Sequence, residues 1–279
     1  MKTGILRNTL IPLAHKSMIL VIGLLVALPA WGQNDADDLA KKLANPVASL
    51  ISVPIQFNYD ENIGLNDEGS VLQINIQPVI PMELNEDWNL ITRTIIPVIS
   101  QPGFAPGQNR KNGLGDIQFT TFFSPKEVGP SGWIWGAGAV AQFDSASDDR
   151  LGAGAFGLGP SAVMLKSFGP WVVGGLVNNI WSLSADRDDV NMFLFQPFIN
   201  YNFPDKPGRY LTFAPIITAN WEADSSNTWT VPPGLGIGQG TRFGKQPVNM
   251  QSSAYYNVKK PEFGADWQLR LQQQLMFPK

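Results

Sequence analysis

The chain has 279 residues, of which 44% are hydrophobic and only 15% charged, below the roughly 25% charged residues of typical soluble domains. This composition excludes intrinsic disorder, and the 27 glycines and 22 prolines follow no three-residue period, which excludes collagen. The net charge of −3, without a long basic run, argues against a nucleic-acid partner.

The chain contains no cysteine and one histidine, His15, which lies in a segment that we predict to be removed. The mature chain then has neither residue type. This excludes Cys/His zinc sites, Ser–His–Asp catalysis, thiol nucleophiles and c-type haem. We therefore expect no metal, no cofactor and no enzyme activity.

Residues 1–32 have the layout of a secretory signal peptide. A basic start (Lys2, Arg7, Lys16) precedes the apolar run Met18–Leu28 and a small-x-small site at Ala30-Trp31-Gly32. The apolar run is shorter than the roughly 20 residues that a spanning helix needs. Cleavage after Gly32 is predicted, with an uncleaved anchor as the alternative.

Residues 33–47 follow as a leader whose role the sequence leaves open. Leu39 and Leu43 would share one face of a short helix, with Lys41 and Lys42 opposite. Such a helix is too short to be stable alone. The sequence is compatible with a disordered leader and equally with a plug or lid for the barrel mouth.

From residue 48 to residue 279 the hydrophobic pattern has period two. In Ser49–Tyr59 the apolar Ile51, Val53, Ile55 and Phe57 alternate with polar residues. Alternation over nine or more residues indicates strands, and segments of about ten match a membrane barrel better than a soluble sandwich. The twelve candidate strands lie near 49–59, 70–80, 88–99, 115–124, 133–143, 156–165, 171–182, 191–203, 209–221, 228–238, 248–257 and 265–277.

The connectors and the tryptophans support this interpretation. Connectors after odd-numbered strands are often long or acidic, and most others are tight, although Pro125–Gly132 and Gln239–Pro247 are longer than expected. All eight mature tryptophans lie at or near segment ends, which predicts two aromatic girdles. We predict an all-β fold: a transmembrane, antiparallel, up-and-down β-barrel of about twelve strands.

Several prolines lie inside these strand patterns, where each removes a ladder hydrogen bond. Pro197 and Pro215 are equally distant from their turn, so they are expected to face each other. Pro78 and Pro97 would match in the same way only if their turn were centred near Asp87. Bulges or local breaks in pairing are expected at these sites.

Five short stretches resemble a known family. They are Asn45–Leu50, Gly113–Asp116, Gly157–Ala162, Gln196–Tyr201 and Gly244–Asn249. They are similar to a bacterial family of outer-membrane transporters labelled after the meta-cleavage pathway of phenol degradation, some of whose members are misnamed neuromedin U. The resemblance covers nearly all of the mature chain. It implies an outer-membrane β-barrel with a transport role, without binding residues to carry over.

Three other motifs are weaker signals. The G-x-G-x-x-G at Gly152–Gly157 lacks the strand before it and the helix after it that a dinucleotide site needs. Gly234–Gly238 indicates a strand of small residues that leaves room in the lumen or for a neighbour's approach. Six loop acids offer oxygen ligands for calcium or bridges to lipopolysaccharide, but their spacing matches no EF-hand loop. They are Asp144, Asp148, Asp149, Asp186, Asp188 and Asp189.

The alternation also predicts which polar side chains point into the lumen and set selectivity. They are Arg93, Asp116, Gln118, Gln142, Asn178, Asn200, Arg270 and Gln272. The alternative for each of them is that these side chains only hydrogen-bond one another across the lumen. The two arginines are expected to attract anions or to pair with Asp116.

The predicted function is a channel or transporter in the bacterial outer membrane for a small solute, hydrophobic and aromatic solutes included. The alternatives are a structural or adhesive protein with a sealed lumen and, less favoured without a histidine, an outer-membrane hydrolase. Twelve strands predict a narrow or partly occluded lumen. The expected partners are outer-membrane lipid and lipopolysaccharide, the barrel-assembly machinery and the solute.

Overall fold

The structure, a computed structural model, describes residues 50–104 and 107–277. The predictions for residues 1–32 and 33–47 lie outside the described residues. Sixteen strand segments are present: β1 (Ile51–Ile63), β2 (Gly69–Ile76), β3 (Val79–Glu83), β4 (Trp88–Gln101), β5 (Lys111–Leu114), β6 (Gln118–Pro125), β7 (Trp133–Gln142), β8 (Ala155–Phe168), β9 (Trp171–Ala185), β10 (Asn191–Asn202), β11 (Arg209–Phe213), β12 (Ile217–Asn220), β13 (Trp229–Thr230), β14 (Gly234–Phe243), β15 (Gln246–Tyr256) and β16 (Trp267–Phe277).

The segments form one closed antiparallel sheet. Successive strands of the chain pair with each other, β1 pairs with β16, and a further β10–β11 pairing completes the circle. Four consecutive pairs of segments, β2–β3, β5–β6, β11–β12 and β13–β14, are each one strand with a short break. The barrel therefore has twelve strands, which confirms the predicted fold class.

The breaks lie at or beside prolines, as expected from the missing N–H. The ladder positions on both sides of Pro197 and Pro215 place these two residues opposite each other, as predicted. Pro78 and Pro97 do not face each other, because the condition on their turn is not met: Pro97 lies opposite Asn75, and the Pro78 carbonyl accepts a hydrogen bond from Thr94 N. Opposite Pro97, the β4 ladder shifts by one residue between β5 and β6, which is a bulge.

The connectors differ in length between the two ends of the barrel, from two to seven residues at one end and from five to twelve at the other. The short-turn end carries 84–87, 126–132, 169–170, 203–208 and 244–245. The long-loop end carries 64–68, 102–110, 143–154, 186–190, 221–228 and 257–266. The expectation of a long connector at Gln239–Pro247 is wrong. The strands there run on to Phe243 and from Gln246, so that only Gly244, with a φ of 61°, and Lys245 form the turn.

Aromatic side chains mark both ends of the barrel, and an apolar belt lies between them. Trp88, Trp133, Trp135 and Trp171 lie at the short-turn end, and Trp181, Trp221, Trp229 and Trp267 at the long-loop end. Exposed apolar side chains occupy the outer surface between the two levels, among them Phe57, Val98, Met164, Val177, Leu211 and Leu271. Amphipathic rings at two levels around an apolar band are the outer surface of a membrane-spanning barrel.

Among the residues that the structure describes, no helix is long and apolar enough to cross a membrane.

Candidate functional site: the barrel interior

The inner wall of the barrel is polar on one side and apolar on the other. On β1 and β16 the inward positions are amides, hydroxyls and Arg270, with Gln56, Asn58 and Gln274 all buried. On the opposite side the inward positions form an apolar cluster: Ile91, Phe122, Val163, Leu165, Val172 and Leu176. A twelve-stranded barrel is narrow enough for inward side chains on this side to pack against one another.

Two cavities lie in series along the polar wall. The inner cavity, toward the short-turn end, has a volume of about 200 Å³ and includes Ser52, Arg93 and Gln272 in its wall. The mouth cavity, toward the long-loop end, has a volume of about 380 Å³ and includes Asp60 and Lys260. Gln56 and Ile216 belong to both walls, so these residues mark the boundary between the two spaces.

Arg93 lies on β4, on the wall of the inner cavity. Its Nη2 donates to Gln77 Oε1 at 2.5 Å, and Gln77 Nε2 donates to Gln56 Oε1 at 3.3 Å. Gln56 in turn donates to Gln272 Oε1 at 3.0 Å. The Arg93 guanidinium is thus held at the end of a chain of amides that crosses from β4 to β16.

Arg270 lies on β16 at the boundary between the cavities and is only 2% exposed. Its Nε donates to Asn58 Oδ1 at 3.0 Å, its Nη2 to Gln268 Oε1 at 2.8 Å, and its Nη1 to the Ala214 carbonyl at 3.1 Å. The guanidinium also lies 4.7 Å from the ring centre of Tyr255. Ala214 follows β11, three strand segments from β16 around the wall, so this contact joins strands that are not neighbours and spans part of the lumen.

The break at Pro215 makes the contact to Ala214 available. Residues 214–216 make no ladder pairs between β11 and β12, and the Ala214 carbonyl instead accepts hydrogen bonds from Arg270 and from the Tyr255 hydroxyl. A buried carbonyl needs such partners. The break at Pro215 therefore frees the Ala214 carbonyl to hold Arg270 and Tyr255 at the boundary between the cavities.

A stripe of glycines on β14 makes room for two tyrosines inside the barrel. A Cβ on Gly238 would lie 2.1 Å from Tyr210 Cζ, and one on Gly234 would lie 2.6 Å from Tyr255 Cδ1. The Tyr210 hydroxyl crosses the stripe and donates to Gln251 Oε1 on β15 at 3.2 Å. The glycines thus serve the close approach of a neighbour, one of the two roles predicted for them.

The mouth cavity is bounded by the loop at residues 257–266. Lys260 Nζ lies 2.7 Å from Asp266 Oδ1, and Asn62 Nδ2 donates to Asp266 Oδ2 at 3.1 Å. Lys260 and Asn62 hold the pKa of the Asp266 carboxyl below its usual range, so this loop anchor stays charged in mildly acidic solution. On the barrel wall below, Asp60 accepts a hydrogen bond from Gln268 Nε2 at 2.8 Å.

Asp116 anchors a second loop at the same end, residues 143–154. Its Oδ1 accepts from the backbone N–H groups of Ser145 (3.2 Å) and Ala146 (3.1 Å), and its Oδ2 accepts from Ala153 N (2.6 Å). Leu151 of this loop is buried. The loop is therefore packed on the inner side of the β5–β6 break, and the expected pairing of Asp116 with the arginines is not seen.

Within the same loop, Asp148 is fixed by Lys111 and by Arg150, whose Nε lies 3.1 Å from Asp148 Oδ1. These two cations and the backbone N–H of Arg150 hold the pKa of the Asp148 carboxyl well below its usual range. Over residues 50–104 and 107–277, no group of three or more His, Cys, Asp or Glu side chains is placed to hold a metal ion.

The eight residues predicted to line the lumen divide into two groups. Arg93, Asn200, Arg270 and Gln272 lie together on the inner-cavity wall. Asp116, Gln118, Gln142 and Asn178 lie on neither cavity wall. Gln118 Nε2 donates to Gln142 Oε1 at 3.2 Å across β6 and β7, toward the long-loop end.

Sequence reasoning missed several wall residues that share the inward parity of the predicted ones. On β6 the parity that turns Gln118 inward also turns Phe122 inward, and on β10 Gln196 and Phe198 share the face of Asn200. Phe122 and Phe198 escape a prediction that is restricted to polar side chains, whereas Gln196 is polar and the alternation on β10 could have found it. Gln77 lies in the break between β2 and β3, and it shares the polar face of Gln73 and Asn75, so the alternation could have found it too.

No known protein family matches this chain in sequence, and no curated protein matches it either. In structure it is similar to the crystal structure of an outer-membrane channel from Pseudomonas putida F1, with 16% sequence identity and a TM-score of 0.62. That match covers 82% of this chain and 96% of the other. The structure of the NanC porin matches with 9% identity and a TM-score of 0.49 over 82% of this chain and 100% of the other. The closed barrel, its apolar belt and the first likeness agree on one fold, that of a β-barrel of the bacterial outer membrane.

Proposed function

We propose that the protein is an outer-membrane channel for small solutes. The observation that carries this proposal is the pair of cavities in series along the polar wall, from the short-turn end to the loop at residues 257–266. A barrel that served only to anchor a surface structure would gain nothing from an arginine and amide wall facing these spaces. The likeness in fold to a channel from Pseudomonas putida F1 supports the same function.

The size and lining of the inner cavity favour small, partly apolar solutes. Its volume of about 200 Å³ is below the usual range for drug-sized pockets, about 300–1,000 Å³. Phe122, Leu176 and Phe198 face the arginine wall across it. The resemblance to the transporter family labelled after phenol degradation agrees with a solute that is hydrophobic or aromatic in part.

A sealed barrel with a structural role is the second candidate function. It is favoured by the Arg270–Ala214 contact, which narrows the lumen at the boundary between the cavities, and by the exposure of Arg270, which is only 2%. In a channel, the contact between Arg270 and Ala214 must open when a solute passes.

Permeation into proteoliposomes distinguishes the two functions. The mature chain is reconstituted into vesicles, and the swelling rates are measured with a size series of uncharged sugars and with sodium benzoate. A channel admits the smallest solutes and excludes the larger ones, because the lumen is narrow. Swelling that equals that of protein-free vesicles for every solute would support the sealed barrel instead.

A further inference from the structure

The guanidinium of Arg93 has hydrogen-bond donors that the protein does not use. A guanidinium carries five N–H donors, and in the described residues that of Arg93 makes one side-chain hydrogen bond, to Gln77 Oε1. No ion pair in that part of the chain includes Arg93. Arg270, on the same cavity wall, differs because its Nε, Nη1 and Nη2 are all engaged. Arg93 is half-buried on the cavity wall, so an anion in the inner cavity would find donors there that no protein group among the described residues accepts.

Asn200, on β10 of the same cavity wall, has an unmatched acceptor. Its Oδ1 is buried and has no hydrogen-bond partner in the part of the chain that the structure describes. Buried polar atoms without a partner are rare in folded proteins, and each one calls for an explanation. A hydrogen-bond donor on a bound molecule would satisfy this oxygen.

The remaining inner-cavity wall near these two residues is apolar. Phe122 and Leu176 belong to the buried apolar cluster, and Val79 and Phe198 pack against it while also facing the cavity. Apolar surface with a few well-placed polar groups is the usual composition of a site for a small organic molecule.

We propose that the inner cavity is a binding site for a small organic anion with an apolar body and a hydrogen-bond donor. The anionic group binds Arg93, the donor binds Asn200 Oδ1, and the body packs on Phe122 and Phe198. This inference rests on the proposed channel function and adds the chemical class of the solute that the channel holds in transit.

Three probes of similar size separate the contributions of charge and donor. 4-Hydroxybenzoate carries both, benzoate lacks the hydroxyl donor, and phenol lacks the anion. Binding is measured by titration calorimetry on the folded mature chain in detergent, with folding verified by the heat-dependent shift of the band in gel electrophoresis. We expect 4-hydroxybenzoate to bind most tightly. Arg93→Gln should weaken both anions at least about tenfold and leave phenol nearly unchanged, because a hydrogen bond to a charged group is lost.

Two further variants make the test specific. Asn200→Leu removes the acceptor and should bring the affinity for 4-hydroxybenzoate down to that for benzoate, a readout that does not depend on Arg93→Gln folding. Arg209→Gln is the matched control. Arg209 also donates to a glutamine, Gln239 Oε1, at 3.3 Å, but it lies on neither cavity wall. This variant should bind all three probes like the unmodified chain.

The results that would overturn the inference differ from those that would overturn the channel. Equal affinity for the three probes, or an equal loss in Arg93→Gln and Arg209→Gln, contradicts the anion site. Vesicle swelling without selective binding contradicts the site and leaves the channel standing. Selective binding without swelling contradicts the channel and leaves the site standing.

Discussion

Arg270 is tied to residues from three parts of the barrel, whereas Arg93 is tied to one. Asn58 Oδ1 and Gln268 Oε1 depend on Arg270 for a donor, and the Ala214 carbonyl shares Arg270 with the Tyr255 hydroxyl. A buried acceptor that loses its donor costs about 1–3 kcal/mol. Arg270 is therefore expected to stabilise the fold, whereas Arg93 is expected to bind the solute that enters the inner cavity.

Replacement of Arg270 tests this division. Arg270→Met should lower the free energy of unfolding by about 3 kcal/mol, since two acceptors are left without a donor and the Ala214 carbonyl keeps only the Tyr255 hydroxyl. The measurement is urea-induced unfolding of the barrel in lipid vesicles, followed by tryptophan fluorescence. Arg93→Met is the control and should cost about 1 kcal/mol, because one hydrogen bond is lost. Equal costs for the two variants would contradict the division.

At the scale of elements, the glycine stripe of β14 holds Tyr210 in place. Gly238→Ala should destabilise the barrel by about 1–3 kcal/mol, because its Cβ would meet the tyrosine ring at 2.1 Å and the ring has packed neighbours. Gly129→Ala is the matched control, since a Cβ there would meet nothing within 4 Å. Thermal loss of the folded band in gel electrophoresis gives the comparison. A Gly238→Ala barrel as stable as the Gly129→Ala barrel would show that the tyrosine contact is not needed.

The loop at residues 143–154 depends on Asp116. Asp116→Ala leaves three backbone N–H groups without an acceptor, so the loop should open more often and trypsin should cleave after Arg150 about ten times faster. Asp149→Ala removes an exposed acid from the same loop and should leave the cleavage rate unchanged. The products are identified by mass spectrometry. Similar rates in the two variants would mean that Asp116 does not hold the loop.

The strands could be predicted from the sequence because one face of each meets lipid and the chain must alternate. Ser49–Tyr59 shows this alternation, and β1 begins at Ile51 and presents Phe57 outward. The alternation fails where glycine and proline interrupt it, and the connector at Gln239–Pro247 was overestimated for that reason. A glycine or a lysine gives no hydrophobic signal, so the ends of β14 and β15 depend on the turn geometry at Gly244.

The interior could be predicted only in part, because its contacts join residues that are distant in sequence. Parity places Arg270 inside, but the Ala214 carbonyl becomes its partner only through the break at Pro215. Asp116 has the inward parity of Gln118, yet its carboxylate is taken by a loop whose path follows no periodic rule. Neither contact leaves a pattern in the local sequence.

The orientation of the whole barrel in the membrane follows from the separation of its connectors. In outer-membrane barrels the long loops face the outside and the short turns the periplasm. Cysteine in place of Asn109, an exposed residue of the long-loop end, should react with an impermeant thiol reagent on intact cells. Cysteine in place of Asp205, at the short-turn end, should react only after the outer membrane is broken. The chain has no native cysteine to compete. The reverse labelling pattern would show that the barrel has the opposite orientation in the membrane.

As a whole molecule, the barrel combines a lipid-facing apolar belt with a narrow interior that holds two cavities in series. A conducting path must pass Arg270 and Gln56 between the cavities, so each open barrel should carry a small current. The unmatched charge of Arg93 on the wall should favour anions over cations.

The central claim, that the lumen conducts, is tested most directly by single-channel recording in planar lipid bilayers under a potassium chloride gradient. The prediction is discrete current steps with a reversal potential shifted toward that of chloride. Bilayers that contain inserted, heat-modifiable barrels and show no steps above the protein-free baseline would contradict the channel and leave a sealed structural barrel.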